Sequence, residues 1–320
     1  MTILAYLFAV LKYIIYGTSV LFTGTLTETT DVLDILAIRF LISFVVLFLL
    51  KITRVLKINV GIKDLFKRNE RTPFIKNLVL AAMFEPVLYM LFETLGISMT
   101  TGVTTAVILS VLPIVSVISE ALILKEKTTI LQKIFLLLGV IGVIYIAVCT
   151  KTDDGSNSVL GIVFLLCAVV CGSLFQVFSR RSSSHFKSFE VTYFSCMFGA
   201  FAFNAVNVVR HLIVGDILHY FDPLLNVDNI VGFVFLAIIS TIIATGMSNF
   251  SLGRMQITTM AAFSGISTLT TIVVGVIFKD ERLYYYHFIG LTLILIRMIG
   301  VSVIAIRKDR RKRLELEKTL

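Results

Sequence analysis

Residues 104–148 read TTAVILSVLPIVSVISEALILKEKTTILQKIFLLLGVIGVIYIAV. With the flanking residues included, two apolar runs, 101–123 and 129–148, are separated by one charged turn, Lys125-Glu126-Lys127. A helix needs about 20 apolar residues to cross the hydrocarbon of a bilayer, and each run has that length. No water completes a backbone hydrogen bond inside hydrocarbon. Each N–H and C=O must therefore pair within its own segment, which makes the runs helices.

The same pattern fills the chain on both sides of this stretch. The predicted spans are 3–22, 33–50, 75–96, 101–123, 129–148, 159–178, 190–209, 229–249, 258–278 and 285–306, an all-α integral membrane protein of ten transmembrane helices. Composition agrees: 57% of residues are hydrophobic and only 15% charged, with a mean hydropathy of +0.96. A soluble domain carries nearer a quarter charged residues. The first run, Ile3 to Phe22, lacks the basic start and small-residue cleavage pattern of a signal peptide, so it reads as a membrane helix.

Placement of the basic residues sets the orientation. With ten spans, 21 Lys and Arg fall on one side, in 51–76, 124–128, 179–189, at Arg254 and after residue 306; only Lys151, Arg210, Lys279 and Arg282 fall on the other. The positive-inside rule then puts both termini in the cytoplasm. The basic segments 51–76 and 307–320 read as juxtamembrane anchors for anionic lipid headgroups and not as nucleic-acid binders. Richness in Ile, Phe and Lys with no Trp suggests an AT-rich bacterial genome, and hence the plasma (inner) membrane.

The two halves of the chain resemble one another at an offset of about 155 residues. Gly17 matches Gly172, Leu95-Gly96 matches Leu252-Gly253, Val103-Thr104-Thr105 matches Ile257-Thr258-Thr259, and Lys125-Glu126-Lys127 matches Asp280-Glu281-Arg282. Five spans per half is an odd number, so the second half enters the membrane in the opposite sense. The predicted organisation is two inverted five-helix repeats, 1–150 and 151–306, followed by a basic cytoplasmic tail, 307–320. Inverted repeats are an architecture from which many secondary transporters build alternating access.

These residues resemble the EamA family of the drug/metabolite transporter superfamily. The likeness rests on Pro113 in the fourth span, Glu126 in the acidic turn, Gly139 and Gly142 in the fifth span, Gly17 in the first and Arg39 in Ala37-Ile38-Arg39-Phe40 of the second. One departure is Thr268, which stands where the second half would carry its proline. The resemblance implies ten helices with a central cavity between spans one to four and six to nine. It makes spans five and ten peripheral supports or contacts in a homodimer. It implies cargo such as amino acids, other metabolites or toxic compounds, often moved outward.

Ionisable residues at membrane depth are costly and mark functional sites by default. Six fall inside spans: Lys12, Arg39, Glu85, Glu93, Glu120 and Arg297. Lys12 and Glu85 lie nine to ten residues from the same face of the membrane, so they share a level near its middle and are expected to pair. The pair is either a substrate gate or a permanent salt bridge. Arg39 and Glu93 lie toward the outer side as a candidate gate, Glu120 near the cytoplasmic end with access to water, and Arg297 in the tenth span with a structural partner. Helical spacing adds stripes of Glu85, Tyr89 and Phe92 or Glu93, of Lys12, Tyr16 and Ser19, and of Thr241, Thr245 and Ser248. With Gly17 and Pro113 from the family likeness and Gly172 from the internal repeat, these give the candidate substrate-binding or gating set. Pro86 lacks an N–H and is expected to bend the third span.

No nucleotide-binding loop and no H-E-x-x-H or G-x-S-x-G set occurs, so neither ATP-driven pumping nor catalysis is expected. Cys149, Cys167, Cys171 and Cys196 read as buried inert thiols, and His185, His211, His219 and His287 form no metal constellation. No cofactor and no metal are expected. The leading expectation is secondary transport of small organic solutes, efflux of amino acids or related metabolites first, driven by the solute gradient or by protons carried on Glu85 or Glu93. A non-transporting membrane sensor or assembly partner is the alternative.

Overall fold

A computed structural model describes residues 2–56, 58, 72–100, 105, 108–109, 111–125, 129–149, 158–183, 185–278 and 285–319. Most of the basic loop at 51–76, Val103-Thr104, the Glu126-Lys127 part of the first charged turn and all of Asp280-Glu281-Arg282 lie outside the described residues. The described residues are helical, with no strand among them.

The helices are α1 (Thr2–Thr29), α2 (Val32–Ile52), α3 (72–98), α4 (Leu112–Leu124), α5 (Ile130–Cys149), α6 (Val159–Ser182), α7 (Ser188–Val214), α8 (Val227–Leu252), α9 (257–278) and α10 (Tyr285–Thr319). Among the described residues, six helices are long and apolar enough to cross a membrane: α1, α2, α3, α6, α7 and α8. Leu112–Leu124, Ile130–Gly142 and Phe288–Val301 are shorter apolar stretches, and α9 is split into Ile257–Ala262 and Gly265–Phe278. The basic tail continues α10 as far as Thr319.

Local chemistry explains where the helices start, stop and bend. The Asp31 carboxylate accepts from the Leu33 N–H at 2.9 Å and caps α2, satisfying a donor the helix leaves free. In α3 the helix breaks at Glu85, whose φ of −140° and ψ of 118° are extended, immediately before Pro86. Proline's ring disfavours the helical region for its predecessor and removes one N–H, so the break falls where the sequence places it. Pro113 sits in the first turn of its helix, where a missing N–H has no intrahelical partner to lose. In α8 the backbone widens between Phe235 and Ala244, and the Thr241 hydroxyl donates to the Leu236 carbonyl at 2.8 Å.

The packing pairs exchange the two halves. The first helix of the first half, α1, packs against α8 and α9, while the first helix of the second half, α6, packs against α3 and α4. The second helices α2 and α7 pair with each other, and so do the fifth helices α5 and α10. Glycine permits the close approaches. A Cβ on Gly17 would lie 2.4 Å from the Ser267 carbonyl oxygen of α9, and one on Gly172 would lie 2.9 Å from the Tyr89 ring of α3. Small residues at such crossings are what membrane helices use to gain van der Waals contact.

Apolar layers close both ends of this arrangement. At the end bearing the N-terminus, Ala5, Ala9, Phe175, Leu252, Met255 and Met260 form one cluster. At the other end Leu26, Ile35, Ile38, Phe233 and Leu236 form another, with Phe22 stacked on Phe235 at 4.5 Å. The polar centre lies between them.

Candidate solute site

Side chains from α1, α2, α3, α7 and α8 build the centre. Lys12, Arg39 and Glu85 are each more than nine-tenths buried. A charge held alone at the middle of a span costs about 2.5–3.5 kcal/mol on insertion scales, so their partners decide how the fold tolerates them.

Those partners come largely from the second half. The Lys12 ammonium donates to Ser248 Oγ at 2.9 Å and lies 4.6 Å and 5.0 Å from the ring centres of Tyr13 and Tyr16. Tyr16 OH and Thr245 Oγ1 are hydrogen-bonded at 3.2 Å. Arg39 Nε donates to Thr241 Oγ1 at 2.8 Å and its Nη2 to Ser240 Oγ at 3.3 Å. Ser43 on the same face of α2 donates to the Ala237 carbonyl at 2.9 Å, tying α2 to the widened stretch of α8. In each of these hydrogen bonds a side chain of the first half meets α8.

The expected direct ion pair between Lys12 and Glu85 does not form. Their charges interact through space, but the extended backbone at Glu85 turns its side chain toward other helices. It faces a small cavity with Phe40, Pro86, Met90, Ser195, Cys196, Thr241 and Thr245. Arg39 and Glu93 likewise interact without an ion-pair contact, since Glu93 Oε1 accepts from Tyr89 OH at 2.7 Å. The stripe from Glu85 through Tyr89 to Glu93 is thus present, with its last two members bonded to each other.

Two polar groups in the cavity have no hydrogen-bond partner among the described residues. The Glu85 carboxylate meets Lys12 only through space, with no hydrogen bond or ion-pair contact among the described residues, and the Ser195 hydroxyl is buried and unbonded. The free space beside them holds about one water molecule. Ser195, Cys196, Phe40 and Met90 were not legible as site residues, because a serine or an apolar side chain in a membrane helix carries no signal of which neighbour it faces. Ser240 is a similar omission; it lies one residue before the hydroxyl stripe of α8.

Glu120 does not reach water. It is fully buried and accepts from Arg180 Nη1 at 3.0 Å and from the backbone N–H groups of Ile257 at 2.8 Å and Thr258 at 3.0 Å, with the Thr258 hydroxyl as a fourth donor. The unpaired N–H groups at the start of α9 draw the carboxylate in. Arg297 is also buried, donating to Ser264 Oγ at 3.0 Å at the break of α9. Gly139 of α5 makes room for it, since a Cβ there would lie 2.1 Å from Arg297 Cδ. Gly17, Gly172 and Pro113 occupy helix contacts rather than the wall of the central cavity.

At the end away from the N-terminus, a second polar cluster joins α2 to α7. Asp34 accepts from Asn207 Nδ2 at 2.9 Å and Arg210 Nη2 at 3.2 Å, and lies 2.8 Å from His211 Nε2. The other ring nitrogen of His211 lies 2.7 Å from Asp216 Oδ1. Among the described residues, no group of three or more His, Cys, Asp or Glu side chains is arranged to hold a metal ion.

The chain matches the EamA-like transporter family over residues 3–148 and again over residues 159–303. It is 29% identical over 307 residues to the uncharacterized transporter YcxC of Bacillus subtilis (strain 168), covering 96% of this chain and 95% of that protein. It is 23% identical over 298 residues to the uncharacterized transporter YetK of the same organism, covering 92% of this chain and 85% of the relative. A chain in a solved crystal structure shares the fold with a TM-score of 0.70 at 16% identity, over 95% of this chain and 98% of that one.

Proposed function

On the premise that the chain belongs to the EamA-like transporter family, we propose that it is a secondary transporter of small organic solutes, working by alternating access between two inverted halves of five spans each. Amino acids or related metabolites are the first choice of cargo, moved outward across the plasma membrane, with both termini in the cytoplasm. The supporting observation is the seam between Lys12, Tyr16 and Arg39 of the first half and Ser248, Thr245 and Thr241 of the second. Two hydrogen bonds between a charge and a neutral hydroxyl, and one between two hydroxyls, hold the halves together at mid-membrane. Such contacts exchange for solute contacts without leaving a bare ion pair behind. The apolar layers above and below part alternately as the halves rock.

In this mechanism the residues of α1, α2 and α3 recognise the cargo, and the hydroxyls of α8 release their grip when it enters. Purified protein in liposomes, loaded with a panel of labelled metabolites, tests the reading. The expected result is flux of at least one solute that Arg39→Gln cuts by about 30-fold or more. Folded protein that carries no solute of the panel would favour a sensor or assembly partner instead.

A further inference from the structure

The central cavity presents two polar groups that no side chain among the described residues hydrogen-bonds: the Glu85 carboxylate, on a residue more than nine-tenths buried and held to Lys12 only through space, and the fully buried Ser195 hydroxyl. The other charges of the centre have hydrogen-bond partners among the described residues: Lys12 has Ser248, Arg39 has Thr241 and Ser240, and the partly buried Glu93 has Tyr89. Buried polar groups in folded proteins are nearly all paired, and an exception calls for a ligand or a role. Both open groups accept hydrogen bonds, and one is an acid. The wall beside them is apolar, made by Phe40, Pro86 and Met90.

We infer that Glu85 and Ser195 receive a cationic nitrogen of the cargo, so that the transported solutes are organic amines with an apolar body. The free space matches this chemistry. It holds about one water molecule, which is also the size of an ammonium group, so the headgroup fits as the helices stand. The body of the solute needs the helices to part, as alternating access provides. An ammonium offers three donors, which Glu85 and Ser195 engage, with the Thr245 hydroxyl on the same wall. A charge-assisted bond of this kind is roughly twice as strong as a neutral one. Lys12 and Arg39 repel the ammonium from their own side of the centre, so it is held at the α3–α7 wall. The break at Glu85 sets the position: a helical backbone there would keep the carboxylate on the Tyr89–Glu93 face.

This inference rests on the transport reading, and its test is separable from it. Isothermal titration calorimetry on the full chain in detergent compares phenethylamine with 2-phenylethanol, which keeps the ring and chain and replaces the ammonium by a hydroxyl. The amine is expected to bind at least about tenfold tighter. Glu85→Gln removes that preference, Glu85→Asp keeps part of it, and Ser195→Ala weakens the amine several-fold while the protein elutes as folded. Equal affinity for amine and alcohol, no binding of either to folded wild-type protein, or a preference that survives Glu85→Gln overturns the inference. A Glu85→Gln variant whose only change is in the pH profile of flux makes Glu85 a proton carrier and also overturns it. If amines bind through Glu85 yet no solute crosses liposomes, the transport reading fails and the amine site stands. If solutes cross with no regard to Glu85 or to a cationic nitrogen, the amine site fails alone.

Discussion

The first half of the chain brings charges to the membrane centre, and the second half brings hydroxyls. Lys12, Arg39, Glu85 and Glu93 all belong to α1, α2 and α3, whereas α8 contributes Ser240, Thr241, Thr245 and Ser248. The spacing of 155 residues that relates Gly17 to Gly172 sets Cys167 against Lys12. The repeat therefore keeps the packing of its two copies and divides their chemistry. Packing has to be kept in both, because each first helix crosses two helices of the other half at glycine-scale distance. A polar contact, by contrast, needs only one charged partner. Four charges in each copy would add a desolvation cost with no partner to offset it.

That division is open to attack at several points. Glu120 is the strongest link across the halves at the N-terminal end, with four donors on one buried carboxylate. Glu120→Ala removes the acceptor that Arg180 and the backbone N–H groups of Ile257 and Thr258 share and is expected to destabilise by about 3–5 kcal/mol, read as a fall in melting temperature in detergent. If the loss is negligible, the carboxylate is not the tie between α4 and α9. Arg39→Gln removes the charge from the central seam and should cut solute flux by about 30- to 160-fold, equivalent to about 2–3 kcal/mol for bonds made to a charged group. Thr241→Val removes only the hydroxyl from the same contact and should cost less than the arginine change. The reverse order would place recognition on the second half.

Glycine provides a comparison on stability alone. Gly17→Ala sets a methyl against a backbone carbonyl of α9, which cannot swing aside, and should cost about 2–3 kcal/mol. Gly172→Ala meets the edge of the Tyr89 side chain rather than backbone, and a side chain shifts at lower cost, so the loss should be nearer ~1 kcal/mol. Melting curves of the two variants measure the difference, and equal losses would mean that the two crossings are equally rigid. The smallest effect is expected for Ser248→Ala. Lys12 keeps its two tyrosine rings, so flux should fall only about three- to tenfold.

Much of the fold was readable from residue order. The apolar runs mark the helices, Pro86 marks the break in α3, and the recurrence of Gly17 as Gly172 marks the matching crossings. The levels of Lys12 and Glu85 along their helices were readable as well, because rise per residue is constant. Their partners were not. Lys12 was expected on Glu85 and is found on Ser248; Glu120 was expected in water and is found beneath the start of α9.

The sequence by itself determined that the chain is a set of membrane helices, which of its charges lie at membrane depth, and that two halves share one pattern of packing. Only the tertiary structure decided which hydroxyl holds which charge, and that Glu85 and Ser195 are left facing a cavity together. The reason is geometric. Depth depends on counting residues along one helix, while partnership depends on how far each helix is rotated about its own axis, and one residue of difference turns a side chain by about 100°. At Glu85 even that rule is suspended, since an extended residue inside a helix resets the direction in which its carboxylate points.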